Sequence, residues 1–102
     1  MAQTPEGRIK DKVKKVLLNT PKCYYHMPVQ NGMGRPTLDF IGCCNGFFFG
    51  IETKAPGKKP TPRQLCTINL MEDAGAKVFV IDSEDMRELE EWLALMLVAC
   101  TE

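Results

Sequence analysis

The stretch TLDFIGCCNGFFFGIETKA, residues 37–55, decides the fold of this chain because it reads as a hairpin. Two apolar runs flank an Asn-Gly pair at 45–46, which is a strong signal for a two-residue turn. The hairpin also contains Asp39, Glu52 and Lys54. Ionised groups on a half-buried sheet are costly unless they are paired or bind a metal. These three residues are therefore the first candidates for function.

Side chains alternate between the two faces of a strand, so the second strand of the hairpin divides into two sets. One face carries Phe47, Phe49, Ile51 and Thr53, and the other carries Phe48, Gly50, Glu52 and Lys54. Glu52 and Lys54 thus lie side by side, about 6 to 7 Å apart along the strand. Asp39 on the partner strand can approach the same spot. We expect Thr53 to point away from it and Gly50 to leave room for a ligand.

Two converging carboxylates repel each other, and a hard divalent cation relieves that repulsion. Asp39, Glu52 and Lys54 with such a metal suit hydrolysis of a phosphodiester, because the metal polarises the phosphoryl oxygen and activates a water. The lysine can orient that water, share its proton or offset charge on the phosphorane. The alternative is a structural ion pair between Lys54 and either acid, and the E-x-K spacing alone favours that alternative.

Length and composition predict one globular domain over residues 1–102. The chain is 44% apolar, which is typical of a folded domain. No apolar run can span a bilayer and the start of the chain lacks a signal peptide, so we expect no membrane contact and a cytoplasmic location. Five cysteines, at 23, 43, 44, 66 and 100, form no C-x-x-C pair, and His26 is the single histidine. We therefore expect reduced thiols that act as small core residues, and no zinc site.

Basic and acidic residues are separated along the chain although the net charge is zero. Residues 1–63 contain eleven Lys or Arg and four Asp or Glu, whereas residues 64–102 contain two and nine. The two segments therefore carry +7 and −7. This asymmetry predicts a polyanionic partner for one face, and the alternative is ordinary solvated charge.

The chain as a whole predicts the order helix, strand, strand, strand, helix, strand, helix. The residues that mark the helix ends are Thr4, Thr61 and Ser83 as N-caps, with stops at 19–21 and Gly75. The strands outside the hairpin are CYYHMPV at 23–29 and AKVFVID at 76–82. The crossover through the second helix implies a parallel return into the sheet. We therefore expect an α/β fold with a mixed four-stranded sheet flanked by helices.

Three segments, GRPTLDF, GIETKAPGKKPTPRQ and GAKVFVID, together resemble the VRR-NUC family, the virus-type replication-repair nucleases of the PD-(D/E)XK superfamily. The resemblance runs from about Glu6 to Leu89 and implies a restriction-endonuclease-like core. It departs from the family pattern before the motif Asp, where Leu38 stands in place of the usual Pro.

The resemblance implies a set of site residues in this chain. The family's acid, E-x-K and helix-opening Gln fall on Asp39, Glu52, Lys54 and Gln64, and its early helical Glu falls on Glu6. It further implies that Asp39, Glu52 and the backbone carbonyl of Thr53 bind Mg²⁺ or Mn²⁺. From the residues alone, Glu6 can equally be a first-turn acid that complements the helix dipole, and Gln64 can be a surface glutamine.

The function expected from these features is metal-dependent endonuclease activity on DNA. By resemblance, water attacks in line and leaves a 5′-phosphate and a 3′-hydroxyl, and the substrate is branched, such as a Holliday junction. The flanking loops supply the expected phosphate contacts, Arg35, Lys58, Lys59 and Arg63. The alternatives are a nuclease for flaps, ends or nicks, a non-catalytic DNA-binding module, and a structural protein that uses its last helix.

The last helix, within EEWLALMLVAC at 90–100, carries apolar side chains on more than one face. One face suffices to cover a small sheet. The surplus predicts an interface, and a symmetric homodimer is the commonest closed assembly. A dimer would place two sites for the two cuts that a junction requires. The alternative is that loops or the first helix cover the extra face within a monomer.

Overall fold

The computed structural model describes residues 3–30, 32 and 34–99. Its elements are α1 (Pro5–Leu18), β1 (Cys23–His26), β2 (Phe40–Cys44), β3 (Phe47–Thr53), α2 (Pro62–Asp73), β4 (Lys77–Ile81) and α3 (Arg87–Val98). The sheet order is β1-β2-β3-β4; β1, β2 and β3 are antiparallel neighbours, and β4 runs parallel to β3. The predicted element order and mixed four-stranded sheet are confirmed.

The hairpin turn has the conformation that its sequence predicts. Asn45 and Gly46 both have positive φ, 50° and 89°, as a two-residue turn between twisted strands requires. The Asn45 side-chain amide also donates to the Met96 carbonyl at 2.9 Å. The turn is thereby tied to α3, which packs on the same layer.

Two of the three predicted helix caps are present. Thr4 Oγ1 accepts from Gly7 N at 3.0 Å, and Thr61 forms a capping box with Gln64. The predicted cap by Ser83 is wrong, because α3 begins at Arg87 and Ser83 Oγ accepts from Asp85 N before the helix. Short polar side chains cap turns as readily as helices, so a serine four residues early was misleading.

One face of the sheet carries the core. Helices α1 and α3 pack there. The core side chains are almost completely buried and include Ile9, Val13, Leu17, Phe40, Phe49, Ile51, Phe79, Leu89 and Leu93. Trp92 of α3 makes edge-on contacts with Phe49 and Phe79, with ring centroids 6.0 and 5.7 Å apart. Part of the surplus apolar surface of α3 is therefore used within the chain, while Leu95 and Val98 remain exposed.

Helix α2 covers part of the opposite face, and its Met71 side chain packs over Gly50. A Cβ added to Gly50 would lie 2.5 Å from Met71 Cε and 3.0 Å from Leu38 Cδ1. The expectation that Gly50 leaves room for a ligand is therefore wrong, because Met71 and Leu38 fill that space. Leu38, which departs from the family pattern, is fully buried.

The described part of the chain contains no helix that is both long and apolar enough to cross a bilayer. Cys23, Cys43, Cys44 and Cys66 are free thiols, of which Cys44 is buried and Cys66 exposed. Cys100 lies outside the described residues.

Candidate active site

The two acids of the hairpin meet at one end of the sheet. Asp39 immediately precedes β2 and Glu52 is the penultimate residue of β3. The backbone N–H of Asp39 donates to Glu52 Oε1 at 3.3 Å. The structure therefore brings together the two acidic residues that the alternation of the hairpin predicted.

Asp39 is held mainly by Thr53. Its Oδ2 accepts from the Thr53 backbone N–H at 2.9 Å and from the Thr53 hydroxyl at 2.7 Å. The expectation that the Thr53 side chain points away from the site is therefore wrong. Asp39 lies before the first ladder pair of β2, which joins Phe40 to Ile51. Because Asp39 lies outside the ladder, its position is not set by the alternation of side chains along β2. It therefore contacts both Glu52 and Thr53, although these two residues point to opposite faces of β3.

Glu52 is buried, with 4% of its surface exposed. Gln64 Nε2 donates to Glu52 Oε2 at 2.7 Å, and Lys54 Nζ lies 3.7 Å from the same oxygen. The other end of the Gln64 amide, Oε1, accepts from Thr61 N at 2.9 Å. The capping box of α2 therefore orients the amide that contacts Glu52, and Gln64 is not a surface glutamine.

The surroundings raise the pKa of Glu52 to about 7. Burial is the main cause, because it disfavours the charged carboxylate. The charge of Asp39 adds to the effect, and Lys54 opposes it. Near neutral pH, the protonated and ionised forms of Glu52 are therefore both populated, and a cation placed between the two acids would favour its ionised form.

Glu6 joins this group through a residue that the sequence analysis did not identify. Lys10 Nζ lies 3.6 Å from Glu6 Oε2 and 3.8 Å from Asp39 Oδ1, so it bridges the two acids. The signal for Lys10 was its i, i+4 spacing from Glu6 on α1. Gln30 was also missed; its Nε2 donates to Asp39 Oδ1 at 3.3 Å, and no pattern in its loop marked it.

The four predicted phosphate contacts fall into two pairs. Arg35 and Arg63 come together and line the same two grooves beside the carboxylates, with volumes of about 270 and 410 Å³. Lys58 and Lys59 are exposed in the loop between β3 and α2 and line neither groove. The structure therefore places the two arginines in grooves that adjoin the candidate site through Gln30 and Gln64, which contact the two acids, and leaves the two lysines exposed outside these grooves.

The donor atoms suit a hard divalent cation. Among the residues that the structure describes, no three His, Cys, Asp or Glu side chains cluster closely enough to hold a metal. Two carboxylates and a backbone carbonyl would therefore have to be completed by water, which matches the preference of Mg²⁺ for a few carboxylates and several waters. Asp39, Glu52 and the Thr53 carbonyl fit such a cation by their chemistry.

A larger groove, of about 840 Å³, lies between α1 and the start of α3. Several of its charged residues are paired with one another: Glu84 lies 3.6 Å from Arg8 and 3.8 Å from Lys12. It contains neither Asp39 nor Glu52. Size alone therefore does not identify the site, and the convergence of acids does.

Comparison with known sequences gives a partial match to one curated protein. No protein-family model matches the chain. The chain is 42% identical over 45 residues to "Putative nuclease p44" of Acyrthosiphon pisum secondary endosymbiont phage 1, a match that covers 44% of this chain and 48% of that protein. The chain thus aligns with about half the length of this curated relative.

A solved structure described as "VRR_NUC domain" resembles the chain over most of its length. The TM-score is 0.71 and the identity is 23%, with 90% of this chain and 97% of the other covered. The protein therefore has the fold of a VRR_NUC domain, and the resemblance noted in the sequence is confirmed at the level of the fold.

Proposed function

We propose that this chain is a metal-dependent endonuclease that hydrolyses phosphodiester bonds of DNA. The observation that carries the proposal is the meeting of partly buried Asp39 with buried Glu52, with Lys54 Nζ 3.7 Å from Glu52 Oε2. A nuclease fold and a phage relative named as a nuclease support it. The pairing of two acids in a buried place is costly for a purely structural role.

In this proposal Asp39, Glu52 and the backbone carbonyl of Thr53 hold Mg²⁺ or Mn²⁺. When bound, the cation supplies Lewis-acid polarisation of a phosphoryl oxygen and makes a water molecule more acidic. Thr53 keeps Asp39 in one orientation through its N–H and hydroxyl, 2.9 and 2.7 Å from Oδ2. Gln64 does the same for Glu52, so both carboxylates are fixed before DNA arrives.

Lys54 acts on the reacting phosphate. The water oxygen bonds to phosphorus and gives up a proton to solvent, the P–O3′ bond breaks, and the 3′ oxygen leaves with a proton taken from solvent. The ammonium group of Lys54 orients the water and offsets the negative charge that grows on the phosphorane. Glu6 acts at a distance, because Lys10 links it to Asp39 and neutralises part of the acidic charge.

The basic loops hold the DNA backbone. Arg35 and Arg63 contact the phosphates beside the scissile bond, and Lys58 and Lys59 contact phosphates further out. Such contacts position the substrate and read no sequence. Reversal of Lys58 and Lys59 to Glu should therefore weaken binding to all DNA sequences equally, most clearly at low salt.

The preferred substrate in this proposal is branched DNA such as a Holliday junction, cut by a homodimer. The exposed Leu95 and Val98 of α3, 61% and 80% accessible, are the apolar surface that a second copy would cover. Sedimentation equilibrium at micromolar concentration tests the dimer. A mass near 11.5 kDa from protein that resolves junctions would contradict it.

Cleavage of supercoiled plasmid and of a labelled four-way junction tests the function. Activity should require Mg²⁺ or Mn²⁺, stop with EDTA, and be absent from Glu52→Gln, which keeps the size of the side chain but removes its charge and one acceptor oxygen. DNA binding without cleavage by the wild type under all metal conditions would instead indicate a non-catalytic binding module. Cleavage of flaps or nicked DNA but not of junctions would indicate a repair-type nuclease.

A further inference from the structure

The sheet face that carries Glu52 extends beyond the cover of α2. In the strand register Tyr24 of β1 pairs with Cys43 of β2, and Cys43 pairs with Phe48 of β3. Directly paired residues point to the same face, and Phe48 shares the face of Glu52 because the two are four positions apart, an even number. Tyr24 is 75% exposed and Phe48 is 46% exposed. Two accessible aromatic rings therefore stand on one face, on either side of Cys43.

Phe48 lies along a groove that leads to the candidate active site. The 410 Å³ groove is walled by Phe48, Leu70 and Met71 and includes Arg35 and Arg63. The same two arginines line the neighbouring 270 Å³ groove together with Gln30 and Gln64. Those two amides contact Asp39 and Glu52. We call the two joined grooves, with the faces of Phe48 and Tyr24, the aromatic groove.

The charge of the aromatic groove is positive. Among the described residues that line its two parts there is no Asp or Glu. Neither Arg35 nor Arg63 forms an ion pair with any acid in the described ranges. An apolar partner would leave these two guanidinium groups unmatched, whereas a phosphate matches their charge and planar geometry.

We propose that the aromatic groove binds an unpaired stretch of the DNA strand next to the scissile phosphate. This inference rests on the proposed function and adds a substrate class to it. A phosphate lies between Arg35 and Arg63, a base stacks on Phe48, and Tyr24 extends the platform. Phe48 lies about 13 Å along β3 from Glu52. The nucleotide that stacks on Phe48 is therefore close to the nucleotide that carries the scissile phosphate, but is a different one.

The unpaired state follows from the geometry of stacking. The face of a base inside a duplex is covered by its neighbours, so an aromatic side chain reaches it only when the base is unstacked. Aromatic rings beside a positive groove are the usual platform for single-stranded nucleic acid. Branch points, flaps and frayed ends supply such bases, and continuous duplex does not.

Fluorescence anisotropy in EDTA, where a metal-dependent cut does not occur, tests the proposal. The probe is a labelled oligothymidylate of about ten nucleotides, within the range of known single-strand site sizes. Phe48→Ala should bind it about tenfold more weakly, because stacking on an aromatic side chain contributes at that level. Its slope of log affinity against log salt should equal that of the wild type, since no charge is lost.

Three comparisons sharpen the result. Phe48→Trp should restore binding, and Leu18→Ala, which shortens a 72% exposed side chain on α1, should leave it unchanged. Arg63→Ala should lower the salt slope by about one. A duplex of equal length should bind Phe48→Ala as it binds the wild type.

The proposal is overturned if the wild type does not bind the oligothymidylate at low salt, if Phe48→Ala binds it as the wild type does, or if the variant loses duplex affinity equally. A change in sedimentation mass on Phe48→Ala would also overturn it, since the face would then be an interface between copies. If Phe48→Ala binds the oligothymidylate normally while the wild type shows metal-dependent cleavage, only this inference is wrong and the proposed function stands. If Phe48→Ala binds more weakly but the wild type cleaves no DNA, the proposed nuclease function is wrong and the binding site for unpaired DNA stands.

Discussion

The two faces of β3 serve different purposes: one packs into the apolar core and the other carries the candidate active site. Phe49 and Ile51 point into the layer of α1 and α3 and are fully buried among apolar side chains. Phe48 and Glu52 point to the face of α2, where one is 46% exposed and the other is buried among polar partners. Neighbouring residues of a single strand therefore meet opposite physical environments.

This difference shows what each face contributes to the molecule. The core face removes apolar surface from water, which is the dominant favourable contribution to folding. The α2 face buries a carboxylate whose pKa is raised to about 7, which is an unfavourable contribution when the group is ionised. A fold that tolerates this cost keeps the acids together for another purpose.

The largest expected effect concerns Lys54, which lies on the chemical side of the comparison. Lys54→Ala should lower the cleavage rate by about 10²- to 10⁴-fold, the usual contribution of a positioned acid–base group. Its free energy of unfolding should also fall, by up to about 3 kcal/mol, because Glu52 is left buried without its ion-pair partner and relieves this cost only by taking up a proton. Single-turnover cleavage and urea unfolding measure the two quantities. Lys14→Ala, on the solvated face of α1, is the matched control; near wild-type cleavage by Lys54→Ala would contradict the role.

The next effect separates two adjacent phenylalanines. Phe49→Ala should lower the free energy of unfolding by about 3–5 kcal/mol, because it opens a cavity between the sheet and Trp92. Phe48→Ala should lower it by less than about 1 kcal/mol, because the ring is half exposed. Urea unfolding of both variants checks the prediction. Equal losses would show that the α2 face is as much a core as the other.

A smaller effect concerns the pH dependence that Glu52 confers. Since folding raises its pKa from 4.5 to about 7, the folded state binds the proton more tightly than the unfolded state. As the pH rises from about 4.5 to about 7, the free energy of unfolding of the metal-free protein should therefore fall by about 3 kcal/mol. Glu52→Gln should lack this contribution.

The difference between wild type and Glu52→Gln isolates that contribution from all other titrating groups. Urea unfolding at several pH values in EDTA should show the wild type losing stability relative to the variant as pH rises from about 4.5 to 7, with no further change above. A difference that is constant with pH would mean that Glu52 is not desolvated in solution.

The smallest effect distinguishes the two roles of Gln64. Gln64→Ala and Thr61→Ala should each lower the free energy of unfolding by about 1 kcal/mol, because both break the capping box of α2. Gln64→Ala should also reduce cleavage, because Glu52 loses its amide partner, whereas Thr61→Ala should largely retain it. Equal cleavage by the two variants would leave Gln64 as a cap only.

Much of the fold could be read from the sequence because local signals agreed with one another. The Asn45-Gly46 turn and the N-caps Thr4 and Thr61 each predict an element that the structure contains. Ser83 misled because a serine satisfies a turn as well as a helix end, and nothing local separates the two.

The positions of candidate site residues could be predicted where strand alternation sets them. They could not be predicted for residues that lie outside the strands or on another element. Glu52 follows from alternation within β3 and Lys54 from its continuation one residue past the strand, whereas the contact of Thr53 with Asp39 depends on a residue just outside the ladder. Lys10 reaches Asp39 from another element, and the space above Gly50 is filled by Met71 of α2. Such contacts between elements arise from packing, which no single segment records.

The central claim, that Asp39 and Glu52 form a divalent metal site, is tested most directly by calorimetric titration with Mn²⁺. The wild type should bind one ion and release a proton on binding below about pH 7, because Glu52 must ionise. The double variant Asp39→Asn, Glu52→Gln, which keeps the shape of both side chains, should show no binding at this site. Binding of Mn²⁺ to the double variant as tightly as to the wild type would contradict the account.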